Sequence, residues 1–253
     1  MACRNPTDCP IEAAPRRDVL RTFLMALLLT LSTPGAPAED GPRYATVRAS
    51  PDGIGKVYMG REIAQVMSFH GAPWLERPER MQEERPDLVL AAFDIEPGMI
   101  VADIGAGGGY YSWRIAERVG SRGSVYAVDI QPEMIEILEQ QISSRRVANV
   151  KAILGTVTDP RLPAGSLDLA VMVDVYHELE FPYEMLVSVV RALKPGGRLA
   201  FVEYRGGDTK VPIKALHTMT EAQVRKEARV HPLARVKTVS DLPWQQVIVF
   251  RKQ

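Results

Sequence analysis

The sequence predicts an α/β domain built as a doubly wound parallel sheet with helices on both faces. Two observations carry this. From Ile100 onward, short β-branched runs alternate with longer stretches whose apolar residues recur three and four apart, the pattern of strands buried on both sides and of the helices that cover them. The first run, "VADI", leads straight into "GAGGGYYS" (105–112), the composition of a strand-to-helix turn where the backbone approaches a ligand closely.

Taken in order, "MIVADI" (99–104), "SVYAVDI" (124–130), "VKAIL" (150–154), "LDLAVMVD" (167–174) and "RLAFVEY" (198–204) read as five strands. Between them, "YSWRIAERVG", "PEMIEILEQQISSR" and "YEMLVSVVRALKPGG" read as helices. Pro132 suits a helix first turn, where its missing N–H costs nothing. Gly120 and Pro195-Gly196-Gly197 are stop signals. After the fifth strand, "PIKALHTMTEAQVRKEARV" is a helical stretch in which Thr220, with Gln223 three residues on, forms a capping box. "ARVKTVSDLP" and "QQVIVFRKQ" then follow without an intervening helix and imply an antiparallel pair closing the sheet edge.

The N-terminus is organised differently. Arg16, Arg17 and Arg21 precede an apolar run from Phe23 to Leu31 and an Ala36-Pro37-Ala38 site, the parts of a secretory signal. Residues 1–38 are read as that signal, with Arg16-Arg17 resembling a twin-arginine sequence although Pro15 and Val19 depart from it. The expected destination is the periplasm; the alternative is a misassigned start and a cytoplasmic protein. Residues 39–77 are expected to form a cap segment, and 78–253 the main domain. Within 73–93, the helix "RPERMQEERPD" reads as a solvated charged face.

With Lys plus Arg and Asp plus Glu both at 31, no overall field favours a nucleic acid partner. Cys3 and Cys9 both lie before the proposed cut, so no cysteine metal site or disulfide is expected beyond it. The four histidines are spread widely along the chain; their spacing predicts no ligand cluster, and metal dependence is not expected.

The glycine turn by itself suits many nucleotides. Gly105 and Gly107 begin a dinucleotide fingerprint, but Tyr110 stands where its third glycine belongs. Asp103, two residues before the first glycine, repels a diphosphate and attracts an ammonium group. Asp129 ends the second strand, where a carboxylate accepts both hydroxyls of a ribose, and Ile130 follows to pack under a base. The implied ligand has a ribose and a cationic amino end but no diphosphate, which fits S-adenosylmethionine.

With "VADIGAGGG", "VYAVDIQPEMI", "LPAGSLDLAVMVDVYHEL" and "ALKPGGRLAFVEY" in this order, the chain from about 78 to 208 resembles the class I S-adenosylmethionine-dependent methyltransferases. The resemblance implies a Rossmann-like seven-stranded sheet in order 3-2-1-4-5-7-6 with the last strand antiparallel. It assigns the methionine end of the cofactor to Asp103 and to the turn of Gly105, Ala106, Gly107 and Gly109. Asp129 takes the ribose hydroxyls and Ile130 one adenine face. Where many relatives carry an acidic residue after the third strand, Thr156 and Val157 follow Gly155 here, leaving the adenine contact to Thr156, Val157, backbone groups or Asp159. Asp174 closes the fourth strand beside the cofactor, and Tyr176, His177 and Glu178 on the next loop are the catalytic candidates. His177 is either a general base or a residue that fills the loop or caps the next helix. Glu203, Tyr204 and Arg205 end the fifth strand on the same side. His70 and His217 are read as structural. "YHE" lacks the Asn/Asp-Pro-Pro-aromatic tetrad of many amino-group methyltransferases, which favours an oxygen, carbon or small-molecule acceptor. The alternatives are an exported protein that binds the cofactor without catalysis and a nicotinamide-dependent reductase, the latter disfavoured by Asp103 and Tyr110.

Overall fold

The computed structural model describes residues 43–253; the segment read as an export signal lies outside them. The described chain begins with a small antiparallel sheet that the sequence reading left as an undivided cap: β1 (Tyr44–Thr46), β2 (Gly53–Tyr58) and β3 (Arg61–Ala64). Three short helices follow, α1 (Ala72–Leu75), α2 (Arg80–Glu83) and α3 (Pro86–Ala92).

The main domain then alternates as expected: β4 (Ile100–Ile104), α4 (Tyr110–Val119), β5 (Ser124–Asp129), α5 (Pro132–Arg145), β6 (Val150–Leu154), β7 (Leu167–Val173), α6 (Pro182–Ala192) and β8 (Leu193–Tyr204). It closes with α7 (Glu221–Ala228), β9 (Leu233–Val239) and β10 (Gln245–Lys252). The seven strands are ordered β6-β5-β4-β7-β8-β10-β9, which is 3-2-1-4-5-7-6 counted from β4. Strands β4 to β8 pair in parallel with their neighbours, and β10 runs antiparallel to both β8 and β9.

Successive strand residues feed two cores. Val101, Leu169, Val171, Ala200 and Val249 pack with α3, α4 and α5 on one face. Ala102, Ala170, Met172, Phe201 and Ile248 pack with α6 and α7 on the other. Each fully buried Leu, Ile, Val or Phe contributes roughly 1.5–3 kcal/mol from burial, so period-two alternation of apolar residues fixes the register of every central strand. Because α4 leaves β4 to one face and α6 leaves β7 to the other, a crevice opens beyond the carboxyl ends of these adjacent strands.

Several local signals hold, though Pro195-Gly196-Gly197 fall inside β8 because α6 already ends at Ala192, and Gln223 turns to Met59 and Glu227 rather than back to Thr220. Pro132 opens α5, Gly120 with φ 66° ends α4, and the Thr220 hydroxyl accepts the Gln223 N–H at the start of α7. The helical stretch from 212 is shorter than the pattern suggests: residues 215–217 form a separate 3-10 turn that presents His217.

The charged helix is a correction. Its interruption at Pro86 is as expected, with Arg85 turning left-handed (φ 51°) just before, but its charges are only partly solvated: Glu79, Arg85 and Asp87 are exposed, whereas Arg80 is 4% and Glu84 0% exposed. The Arg80 Nε donates to Glu84 Oε2 at 2.5 Å and its guanidinium lies over the Tyr110 ring. Glu84 Oε1 accepts from Arg77 (2.7 Å) and from the Tyr204 hydroxyl (2.8 Å). Buried charges persist only when paired and hydrogen-bonded; here the local partners Arg77 and Glu84 are joined by Tyr110, Asp174 and Tyr204 from elsewhere in the fold.

A second buried pair ties the small sheet to the main one. Arg61 on β3 donates from Nε and Nη2 to the two carboxylate oxygens of the fully buried Glu227 (2.7 and 3.1 Å), and from Nη1 to the His177 carbonyl (3.1 Å). Removing one member leaves a buried charge short of its partner. Arg61→Ala is therefore expected to lower the unfolding free energy by about 3–5 kcal/mol, read from urea unfolding, with the Arg61→Met/Glu227→Leu pair recovering most of it; a loss below about 1 kcal/mol would show the clamp to be dispensable.

Candidate active site

The site is built at the carboxyl ends of β4, β5 and β7. Past Ile104, the backbone turns through Gly105, Gly107 and Gly109 at φ 74°, 53° and 89°, a left-handed geometry that disfavours side chains. Gly105 and Ala106 donate their N–H groups to the Val128 carbonyl (2.8 and 2.9 Å). The Gly107 N–H donates to Asp129 Oδ2 at 3.0 Å, and the Gln131 N–H to Asp129 Oδ1 at 3.0 Å. One carboxylate thus fixes the glycine turn against the end of β5. Burial raises the Asp129 pKa even though these N–H bonds oppose the shift. A Cβ on Gly105 would lie 2.4 Å from Val175 Cγ2, so the turn also packs on the loop after β7.

A cavity of about 1020 Å³, measured out to its mouth, opens over this turn. Of the residues expected to hold a cofactor, Gly105, Gly107, Asp129 and Ile130 line it from the β4–β5 side. Thr156 and Val157, after β6, and Asp174, after β7, line it from the two flanking strands. The Thr156 hydroxyl is committed to its own turn, accepting the Asp159 N–H at 2.9 Å, while the Asp159 side chain faces Arg191. Three expected residues stand outside the lining. Ala106 belongs to the core, and Gly109 starts α4 with Trp113 packed where its side chain would be. Asp103 is 2% exposed behind the turn and accepts the Ser112 hydroxyl at 2.7 Å. Burial pushes its carboxyl up to about 6, against the pull of Ser112 and Arg80.

A second cavity, of about 1050 Å³, adjoins the first. Val66, Met67, Leu75, Asp174 and Glu178 line both, so one side-chain wall separates the two spaces. Asp174 sits at φ 53°, a strained conformation for a non-glycine residue. Both its oxygens accept from Gln245 Nε2 (2.9 and 2.7 Å), with Arg80 Nη2 at 3.7 Å. Burial, then the Glu84 charge, holds its carboxyl well above the usual range.

His177 and Glu178 face the second cavity and Tyr176 does not. The Tyr176 ring is fully buried against Phe201, and its N–H donates to Glu203 Oε1 at 3.0 Å. Glu203, itself 0% exposed, places Oε2 at 2.6 Å from His177 Nδ1. The other ring nitrogen of His177, Nε2, lies 3.7 Å from Glu178 Oε1, which is 3.2 Å from His217 Nδ1. Burial lowers the His177 pKa, but the Glu203 charge and the contacts with Glu178 and Glu203 outweigh it and raise it to about 10. For Glu178, burial raises the carboxyl and the two imidazoles more than reverse this, to about 2. The expectation that the histidines form no ligand cluster is thus corrected: His177, Glu178 and His217 bring their donor atoms within 4.8 Å of one another, because the turn at 215–217 folds back across the end of β7. Arg205 turns away, to Asp208 and the Leu242 carbonyl.

The contacts that hold the N-terminal segment over these cavities carry no local sequence signature. Gln131 accepts the Phe69 N–H (2.9 Å) and donates to the Met67 carbonyl (3.0 Å), while Glu178 Oε2 accepts the Met67 N–H (3.2 Å). Only the position of Gln131, two residues past Asp129, hinted at a role.

Comparison with known proteins agrees with this geometry. A family model described as a methyltransferase domain matches residues 95–246. A solved S-adenosylmethionine-dependent methyltransferase from Aquifex aeolicus superposes with a TM-score of 0.70 at 23% identity, over 74% of this chain and 100% of its own. Among curated proteins, protein-L-isoaspartate O-methyltransferase of Pyrococcus horikoshii is 32% identical over 44% of this chain and 47% of its own. Nocamycin O-methyltransferase of Saccharothrix syringae is 34% identical over 44% and 40%. The chain therefore spans about half the length, or less, of these curated relatives. With the strand order, the glycine turn and the carboxylate at the end of β5 all in place, the chain belongs to the class I S-adenosylmethionine-dependent methyltransferase family.

Proposed function

We propose that the chain methylates an oxygen or carbon nucleophile of a small-molecule acceptor held in the second cavity. The observation that carries this is the shared wall: Glu178 and Asp174 border both a cavity suited to the cofactor and a neighbouring, largely apolar one that also presents His177 and His217. The first cavity fits S-adenosylmethionine by its own chemistry. Glycines without side chains let a ligand approach the backbone at its floor, the Asp129 carboxylate suits a pair of ribose hydroxyls, and Ile130 and Val157 offer apolar surface to a base. Asp103, a buried carboxylate behind the turn, suits the amino-acid end because a nearby cation offsets the cost of burying its charge. When bound, the cofactor supplies a methyl group already activated by a sulfonium centre.

The protein's own task is alignment and exclusion of water. The cap at Met67 and Leu75 closes the junction of the two cavities. His177, held at Nδ1 by Glu203, and Glu178 form the polar wall that orients the acceptor; Tyr176 positions their loop through its N–H bond to Glu203. Neither a binding-only role nor nicotinamide chemistry gains support from the relatives. We also propose that residues 1–38 direct export, with 39–77 as the cap segment and 78–253 as the catalytic domain. Among the described residues no helix is long and apolar enough to cross a membrane.

Asp129→Ala is expected to weaken binding of S-adenosylmethionine and S-adenosylhomocysteine by about 100-fold in calorimetry, since it removes charged hydrogen bonds of roughly 1.5–3 kcal/mol each. Transfer of labelled methyl groups to a panel of phenols, enols and carboxylic acids should require the same residue; tight cofactor binding with no transfer to any extract fraction would favour the binding-only reading.

For Asp103, the folded carboxyl titrates at about 6, above its unfolded value near 4. The fold thus binds the proton more tightly than the unfolded chain does, and the stability cost of the charge appears as pH rises from about 4 and is complete above about 6. Asp103→Asn should accordingly be more stable than wild type by on the order of 1–3 kcal/mol at pH 7, with the gain vanishing near pH 4, while cofactor affinity falls. Urea melts at both pH values decide it, and a variant less stable at pH 7 contradicts the assignment.

Fusing residues 1–45 to a reporter active only after export should yield signal that Arg16→Lys/Arg17→Lys abolishes; signal surviving the change points to a different route.

A further inference from the structure

We propose that His177 Nε2, Glu178 Oε1 and His217 Nδ1 form a binding site for one divalent transition metal ion at the mouth of the second cavity. The three donors come from two separate segments, the loop after β7 and the turn before α7, yet they converge. Glu178 Oε1 is 3.2 Å from His217 Nδ1 and 3.7 Å from His177 Nε2, and all three atoms lie within 4.8 Å of one another. With metal–ligand bonds of about 2.0–2.2 Å, neighbouring donors sharing one ion sit roughly 3.3–3.6 Å apart in a tetrahedral site and about 2.8–3.1 Å apart in an octahedral one. Side-chain movements of an ångström or less close the set.

Two features beyond proximity suit a metal. The first is support from behind. His177 Nδ1 is 2.6 Å from Glu203 Oε2, and Glu203 is itself fixed by the Tyr176 N–H; a carboxylate behind the ligating imidazole is the usual way such a ligand is oriented. Glu178 Oε2 is held by the Met67 N–H, which leaves Oε1 directed at the histidines. The second is charge. Glu178 and Glu203 are two buried carboxylates beside the imidazoles of His177 and His217, with Asp174 on the same cavity wall and Arg61 on the loop carbonyls, and a divalent cation adds positive charge where carboxylates gather. Two imidazoles and one carboxylate favour zinc, iron, cobalt or manganese over calcium or magnesium.

Three protein ligands leave coordination positions open, and the cavity beside Trp74, Tyr204 and Lys214 lies on that side. This deepens the reading of that cavity as the acceptor site: the ion would take an oxygen acid of the acceptor, such as a phenol, enol or carboxylate. Coordination lowers the pKa of such a hydroxyl. Its proton leaves to water, the oxygen lone pair forms the new O–C bond to the methyl group, and the sulfur keeps the electron pair of the broken C–S bond.

The test uses the full-length protein, stripped with a chelator and titrated with Co2+ and Zn2+ without cofactor. One equivalent of Co2+ should bind with the visible absorption of a nitrogen- and oxygen-ligated ion. His217→Gln and Glu178→Gln should each weaken that binding at least tenfold, with fold monitored by circular dichroism. Loss in these variants assigns the equivalent to this cluster rather than to Cys3 or Cys9. As a readout less sensitive to damaged variants, Zn2+ should raise the thermal midpoint of the wild type and not of His217→Gln. Unchanged affinity in both variants, or no stoichiometric binding by a protein that still binds S-adenosylhomocysteine, overturns the proposal and leaves protons as what balances the cluster. Metal binding that persists where S-adenosylhomocysteine fails to bind upholds the metal site and removes the cofactor reading instead.

Discussion

Everything at this site depends on the junction of β4 and β7. These strands lie side by side and parallel, but the helix following one covers the first face of the sheet and the helix following the other covers the second. No connection fills the space beyond their carboxyl ends, so a crevice is unavoidable there. The glycine turn and the loop carrying Asp174 to Glu178 are the two lips of that crevice. The contact between Gly105 and Val175 sets how closely they meet.

Around the crevice the protein concentrates buried charge. Asp103, Asp129, Glu84, Glu178 and Glu203 are all buried, each answered by hydroxyls, backbone N–H groups, arginines or histidines. Pairs of this kind contribute little net stability, because desolvation offsets most of their attraction. Their effect here is geometric. Arg80 links α2 to Asp174, Tyr204 ties the same network to the end of β8, and Glu203 orients His177 from beneath. The pKa shifts have the same origin, since a carboxyl or imidazole removed from water titrates according to whichever neighbour can reach it.

Several side chains bind the N-terminal segment to this network and to the main domain. Gln131 and Glu178 hold the backbone from Met67 to Phe69, and Arg61 holds β3 to α7 and to the loop after β7. The residues that latch the cap are therefore the ones that line or support the cavities. Cap position and site geometry are coupled through single side chains, and a change in either is transmitted to the other.

The strands of the main sheet, the glycine turn, the carboxylate ending β5, Pro132 at the head of α5 and the Thr220 cap are all legible along the chain alone. Each is written in residues close along the chain: an apolar period, a conformation that favours glycine, a side chain reaching its own backbone. Tertiary structure decided the rest. The burial of Arg80 and Glu84 could not be read from "RPERMQEERPD", since charged helix residues look solvated until Tyr110, Tyr204 and Asp174 arrive from other elements. His217 joined His177 only because a turn 40 residues downstream folds back over the end of β7. Tyr176, adjacent to His177 in sequence, points into the core, because successive residues of a tight turn face different ways. Local patterning specifies what a segment becomes; which side chains meet in the site follows from strand order and from the faces to which the helices are sent.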